Sequence, residues 1–179
     1  YVMDYADLER KAADPRTKCL LLCSPHNPVG RVWKEEELAA LGEICLKHNV
    51  IVISDEIHYD FVYGSNKHLV FANISKELEQ NCLVLTAPSK TFNLAGLKTS
   101  NIFIPNPRLR EQYEIAKQNS PVGGINMFGY AACEAAYRHG EKWLDELLAH
   151  LEDNRRFAET YIAVTKAALI IYSRYRIWH

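Results

Sequence analysis

Four short apolar runs constrain this fold more than any other feature of the chain. They are residues 18–23, 50–53, 83–85 and 100–104. Each has the length of a strand, and each stops at polar or turn-forming residues. The first ends in Ser24-Pro25-His26-Asn27-Pro28-Val29-Gly30 and the second in Ser54-Asp55-Glu56-Ile57-His58. The third ends in Ala87-Pro88-Ser89 with Lys90 directly after, and the fourth in Pro105-Asn106-Pro107. Continuous apolar runs of this kind suit parallel strands buried on both faces. Helical patterns alternate with them, over residues 4–13, 34–48, 108–118, 126–138 and 141–163. In the second of these, Leu38, Leu41, Ile44 and Cys45 form the inward stripe, and Glu35, Glu36 and Glu37 occupy the first turn, where the helix dipole favours them. Residues 59–74 read as irregular and polar with aromatic anchors. The alternation predicts an α/β fold, a three-layer α/β/α sandwich around a mostly parallel sheet.

The totals exclude several classes of function. Net charge is −1, with acidic and basic residues interspersed, so no nucleic-acid groove and no membrane-facing patch is expected. No apolar run reaches the length of a bilayer span. The first residues, Tyr1-Val2-Met3-Asp4-Tyr5, do not read as a secretory signal. The five cysteines are odd in number and mostly sit in or beside apolar runs, which reads as reduced, buried thiols in a cytoplasmic protein. Their spacing gives no zinc site.

The chemistry is expected at the strand ends. In a parallel sheet the carboxyl ends lie along one edge, so Asn27, Asp55 and Lys90 can converge there. A lysine amine, an aspartate and an amide are what pyridoxal phosphate requires. The lysine makes the imine, the aspartate keeps a proton on the pyridine nitrogen, and the amide meets the phenolic oxygen. Burial and a neighbouring cation would free the Lys90 amine for that role. A lone lysine in this position is more often a solvated loop residue, and the alternation alone describes any α/β domain.

Three blocks in register narrow the choice: Asn27-Pro28-Val29-Gly30, Ser54-Asp55-Glu56-Ile57-His58, and Ser89-Lys90-Thr91-Phe92-Asn93-Leu94-Ala95-Gly96. With these blocks the chain resembles the pyridoxal-phosphate enzymes of aminotransferase class I/II, fold type I, over about residues 1–162. The resemblance implies that Lys90 carries the covalent link to pyridoxal 5'-phosphate and shuttles the substrate's α-proton. It implies Asp55 on the pyridine nitrogen, Asn27 on the phenolic oxygen, and His58 where the family usually has a tyrosine. Ser89 and Lys98 fall where the family binds the phosphate. Two positions depart from the pattern: Ala87 replaces a usual serine, and Lys98 a usual arginine. A lysine meets a phosphate as a point charge, without a bidentate fork.

The blocks around Asp55 and Lys90, together with Gly140-Glu141-Lys142-Trp143-Leu144 and Asn154-Arg155, resemble the carbon–sulfur β-lyase branch, which includes cystathionine β-lyase-like proteins. The implied reaction cleaves cystathionine or a cysteine conjugate to a thiol, pyruvate and ammonia. Transamination between an amino acid and a 2-oxo acid uses the same early steps and stays open. A third reading is a catalytically inactive piece that serves in assembly or binding. The family's chains are about twice as long. The resemblance places residues 1–140 in a partial large, cofactor-binding domain, and residues 141–179 in an interdomain helix with the start of a truncated or diverged small domain. It implies a homodimer and a small amino-acid substrate. The phosphate-cradling segment and the carboxylate-clamping arginine are expected outside this sequence, and residues 164–179 do not match the family's next segment. His26 and His68 read as turn or surface residues, and Arg31 as a surface ion-pairing residue.

Overall fold

The computed structural model describes residues 1–121 and 123–165. The elements run α1 (Tyr5–Ala12), β1 (Cys19–Cys23), α2 (Glu35–Lys47), β2 (Ile51–Asp55), α3 (Lys76–Glu79), β3 (Cys82–Thr86), α4 (Pro88–Thr91), β4 (Asn101–Phe103), α5 (Pro107–Gln118), α6 (Met127–His139) and α7 (Glu141–Thr165). Short 3-10 turns lie at Phe71–Asn73 and Ala95–Leu97. The expected strands and long helices are all present, with ends shifted by one or two residues. The side chains of Asp4, Ser75, Asn106 and Asn126 accept N–H groups in the first turns of α1, α3, α5 and α6, which fixes those starts. The short α3 and α4 were not expected. The unmatched tail lies, beyond Thr165, outside the described residues. No helix among the described residues is long and apolar enough to cross a membrane.

The strands form one sheet in the order β1-β2-β3-β4. β1 and β2 pair in parallel, as do β2 and β3, while β4 runs antiparallel to β3. The link from β3 to β4 holds only α4 and a 3-10 turn, without the long crossover helix that usually returns a chain for parallel pairing.

Successive strand residues point to opposite faces of the sheet. Leu22, Val52, Ser54, Cys82 and Val84 share one face, and all are buried. Leu38, Leu41 and Cys45 of α2 cover that face, and Phe71, Leu78 and Ala12 complete the core. Burying a side chain such as Leu38 completely contributes ~1.5–3 kcal/mol. The opposite face carries Leu21 and Cys23 in register with Ile53 and Asp55. There Leu21 is 74% exposed. The first apolar run, expected to be buried on both faces, is therefore covered on one face among the described residues.

β2 ends by placing one carboxyl group on each side. Asp55 belongs to the open face. Glu56 turns into the covered one, where it is 1% exposed. The Ser54 hydroxyl and the Phe71 N–H donate to Glu56 Oε1 at 2.8 and 3.0 Å, and His68 Nε2 stands 2.7 Å from Oε2. His68 is thus a buried partner of Glu56 and not the surface residue expected. Its Nδ1 is buried without a partner among the described residues. Glu56 joins β2 to the segment before α3 by these three bonds. Glu56→Ala, which strands three polar groups in the core, is expected to lower the unfolding free energy by about 3 kcal/mol. Ser54→Ala removes one of the three and is expected to cost about 1 kcal/mol. Urea midpoints at unchanged slope measure both.

The cysteines differ in accessibility: Cys45 and Cys82 are buried, Cys23 and Cys133 half-buried, and Cys19 exposed. Burial pushes the Cys45 thiol up to about 11, and burial with Glu56 and Glu79 pushes Cys82 up to about 12. Unfolded thiols titrate near ~8.5. Above that value the unfolded chain has lost protons that the folded chain keeps, so these two groups make stability fall as pH rises. In native protein near ~pH 8, iodoacetamide is expected to modify Cys19 readily and to spare Cys45 and Cys82. Mass mapping of equal labelling at all three would contradict this.

Candidate active site

Parallel pairing lines up the ends of β1, β2 and β3. Cys23 stands opposite Asp55, and Asp55 opposite Leu85. The rows continue past the strands: the Ser24 N–H donates to the Asp55 carbonyl and the Glu56 N–H to the Leu85 carbonyl, both at 2.9 Å. The three exits that carry Asn27, Asp55 with His58, and Lys90 therefore leave one edge side by side.

The first exit is a loop folded back on itself. The His26 N–H donates to the Arg31 carbonyl and the Gly30 N–H to the His26 carbonyl, both at 2.8 Å. Gly30 sits at φ +73°, a left-handed conformation that a side chain would strain. Trp33 is buried and donates its indole N–H to the Cys23 carbonyl at 2.9 Å. The Arg31 guanidinium lies 4.9 Å over the Trp33 ring and pairs with Glu37 of α2 at 2.5 Å. Arg31 is largely buried, at 18% exposure, and props up the loop. It forms the ion pair expected of it, but largely buried and not at the surface. Asn27 is exposed on this loop, with its amide uncommitted among the described residues.

The second exit carries Asp55 and His58, both half-buried. Asp55 Oδ1 accepts the Ile57 N–H at 3.2 Å. His58 titrates below the usual histidine range. Burial is the main cause, the Lys90 cation adds to it, and the Asp55 carboxylate opposes it. His58 therefore lies within electrostatic reach of both.

The third exit is α4. Pro88 is fully buried at its first position, where no backbone donor is missed. The Phe92 N–H donates to the Pro88 carbonyl at 2.9 Å and the Leu94 N–H to the Ser89 carbonyl at 3.0 Å. Lys90 projects from this turn and is exposed, against the expectation of burial. It makes no hydrogen bond or ion pair among the described residues. Ser89 precedes it, half-buried. Lys98 follows the next 3-10 turn, exposed and at φ +51°. Neither side chain is hydrogen-bonded among the described residues.

The segment with Lys90 is fastened from behind by α6 and α7. Phe92 meets Tyr137 edge-on at 5.8 Å and Trp143 at 5.9 Å between centroids. The Asn126 amide donates to the Leu97 carbonyl at 3.0 Å. A Cβ on Gly129 would stand 2.5 Å from Thr99 Oγ1, so any side chain there would push the segment away. Thr91, completely buried, donates its hydroxyl to Asp60 Oδ2 at 2.7 Å. Tyr59 lies close to Asp60 and Tyr137. Burial foremost, then Asp60 and Tyr137, hold the Tyr59 phenol well above its ordinary value.

A cavity of about 550 Å³ opens between the Asn27 loop, the segment after β2 and α7. Asn27, Arg31, His58, Phe61, Tyr63 and Arg155 are among its lining residues. Arg155 pairs with Glu152 and Glu159 at 2.6 Å each, and its guanidinium is the main reason that the Glu152 carboxyl falls to about 2. The structure thus brings Asn27, Asp55, His58 and Lys90 to one edge. It sets Ser89 beside Lys90 and places Lys98 at the far end of the same loop. Chemically, the Asn27 amide and the His58 imidazole line the open cavity, and the unpaired Lys90 amine and the Asp55 carboxylate with its spare oxygen leave the same sheet edge beside them. The sequence did not single out Asp60, Thr91, Glu56 or Tyr137. Asp60 stands two residues beyond His58 and Thr91 next to Lys90, and that adjacency was the one visible clue.

The family model for aminotransferase class I and II matches residues 1–169. Cystathionine beta-lyase PatB of Bacillus subtilis is 45% identical over 163 residues, covering 91% of this chain and 42% of its own length. Aspartate aminotransferase of Geobacillus stearothermophilus is 33% identical over 138 residues, covering 77% of this chain and 35% of its own. Among solved structures, cystalysin of Treponema denticola, which contains pyridoxal 5'-phosphate, superposes with a TM-score of 0.87 at 41% identity. That match covers 92% of this chain and 42% of cystalysin. This chain spans less than half the length of each. A match over nearly its whole length, in sequence and in fold, means that the chain belongs to the aminotransferase class I and II family.

Proposed function

We propose that this chain carries the cofactor-binding part of a pyridoxal-phosphate-dependent carbon–sulfur β-lyase, a homodimer of the cytoplasm that cleaves cystathionine or a cysteine conjugate. One observation carries the reading: His58 lies in the fields of both the Lys90 ammonium and the Asp55 carboxylate, at the exits of neighbouring parallel strands. The donor set fits the cofactor. Asp55 Oδ2, the Asn27 amide, the Ser89 hydroxyl and both lysine amines are uncommitted among the described residues. Asp55 would hold the pyridine nitrogen, Asn27 and His58 the phenolic oxygen, and Ser89 and Lys98 the phosphate. Lys90 would form the covalent link. When bound, the cofactor supplies a ring that accepts the electron pair left at Cα as the α-proton departs.

The residues do the rest. Lys90 Nζ, free of ion pairs, takes the proton from Cα of the substrate. His58, with its pKa lowered, stays neutral near ~pH 7 and offers a hydrogen bond without a second positive charge beside Lys90. The Cβ–S bond breaks with its electron pair on sulfur, which leaves as the thiol after taking up a proton. With one water consumed, the carbon skeleton ends as pyruvate and the nitrogen as ammonia.

The relative named a cystathionine beta-lyase supports lyase chemistry at 45% identity. An aminotransferase is the second reading, favoured by the aspartate aminotransferase match at 33%. In either case, protein mixed with pyridoxal phosphate is expected to develop a visible absorption band that borohydride bleaches, and Lys90→Ala is expected to lack it. An equal band in the variant would move the link to another lysine. Pyruvate released from L-cystathionine without added 2-oxo acid is expected for the lyase. Product formation that depends on a 2-oxo acid would establish transamination instead.

A further inference from the structure

We propose that the hydrogen bond from the Thr91 hydroxyl to the Asp60 carboxylate is a positioning contact that sets the Lys90 amine against His58 and Asp55. The proposal rests on the reading of Lys90 as the residue that links the cofactor.

Little holds Lys90 by itself. α4 is a single turn of four residues, too short to be stable alone. Lys90 is exposed on it and has no partner of its own among the described residues. Its position is set by its neighbours. Thr91 is completely buried, and its hydroxyl spans 31 residues of sequence to reach Asp60 at 2.7 Å. A hydroxyl–carboxylate bond of this length belongs to the stronger class of hydrogen bonds.

Asp60 is a firm anchor because its segment is anchored in turn. The Tyr59 N–H donates to the Glu56 carbonyl and the Phe61 N–H to the His58 carbonyl, both at 3.0 Å. These turns bracket His58 and hang from Glu56, which is locked in the core. Phe92, next to Thr91, adds a second hold through its ring contacts with Tyr137 of α6 and Trp143 of α7. The turn that carries Lys90 is thus tied by Thr91 to the segment that carries His58. Asp60 and Thr91 act through Lys90 and are positioning residues.

A purely steric role for Thr91 makes the opposite prediction, since valine keeps its shape and serine keeps its hydroxyl. The test compares wild type, Thr91→Val, Thr91→Ser and Asp60→Ala. The first readout is the rate at which pyridoxal phosphate becomes borohydride-trapped on Lys90, mapped by mass spectrometry. The second is the His58 titration by NMR in cofactor-free protein. Thr91→Val is expected to slow trapping at least about tenfold and Thr91→Ser to stay within about threefold of wild type. In Thr91→Val the His58 midpoint is expected to rise, because the Lys90 cation is no longer held close. Wild-type trapping and titration in Thr91→Val overturn the proposal, as does a larger loss in Thr91→Ser than in Thr91→Val. Should Thr91→Val not fold, Asp60→Ala decides by the same two readouts. If wild type traps no cofactor on Lys90, the functional reading fails. The His58 titration then decides the contact alone: a rise in Thr91→Val supports it, and no change overturns it.

Discussion

The parallel pairing of β1, β2 and β3 is the constraint on which the site depends. An antiparallel neighbour would send its exit to the opposite edge, as β4 does beside β3. Two parallel pairs in register put Cys23, Asp55 and Leu85 in one row. Neighbouring strands stand ~4.8 Å apart, so that row is about 10 Å wide. Asn27 and Lys90 follow within a few residues of it. Side chains from three distant stretches are therefore brought within reach of one small molecule before any loop adopts a particular shape.

The two adjacent carboxyl groups at the end of β2 then take opposite roles because a strand alternates its faces. Glu56 points into the covered face and receives bonds from Ser54, Phe71 and His68. A buried carboxyl group held by three partners is costly to disturb, which makes it a fixed point for the chain that follows. Asp55, one residue earlier, points to the open face with Oδ2 unused among the described residues. A one-residue slip of β2 would bury Asp55 and expose Glu56, so register specifies the chemistry as strictly as it specifies the core.

The strands were legible because each is a short apolar run stopped by a turn cluster. The helices were legible through their period and their caps. The convergence of Asn27, Asp55 and Lys90 followed from the strand ends alone. Other features left no trace of that kind. Uniformly apolar runs hid which face of the sheet is open, because Leu21 and Leu22 look alike in sequence and differ from 74% to 5% in exposure. The direction of β4 depends on what fills the link before it, where two single turns escaped notice. Partners such as Thr91 with Asp60, or Glu56 with His68, lie 31 and 12 residues apart in irregular segments. No periodicity records such pairs. His68, beside Asn66 and Lys67, looked like any solvated loop residue until the fold buried it.

The exposure of Lys90 changes the physical account of its readiness. Burial, expected to free the amine, is absent at Lys90, which stands exposed. It makes no ion pair among the described residues, and two carboxyl groups of the adjoining segment are engaged elsewhere. Glu56 is enclosed in the core by three partners, and Asp60 Oδ2 accepts the Thr91 hydroxyl. A lysine drawn into an ion pair with Asp60 would lose the free amine that nucleophilic chemistry needs. The bond that ties the second exit to the third fixes the turn that presents Lys90 and engages Asp60 Oδ2. Asp55 keeps Oδ2 open on that edge among the described residues, and it is the group the chemistry needs ionised and available.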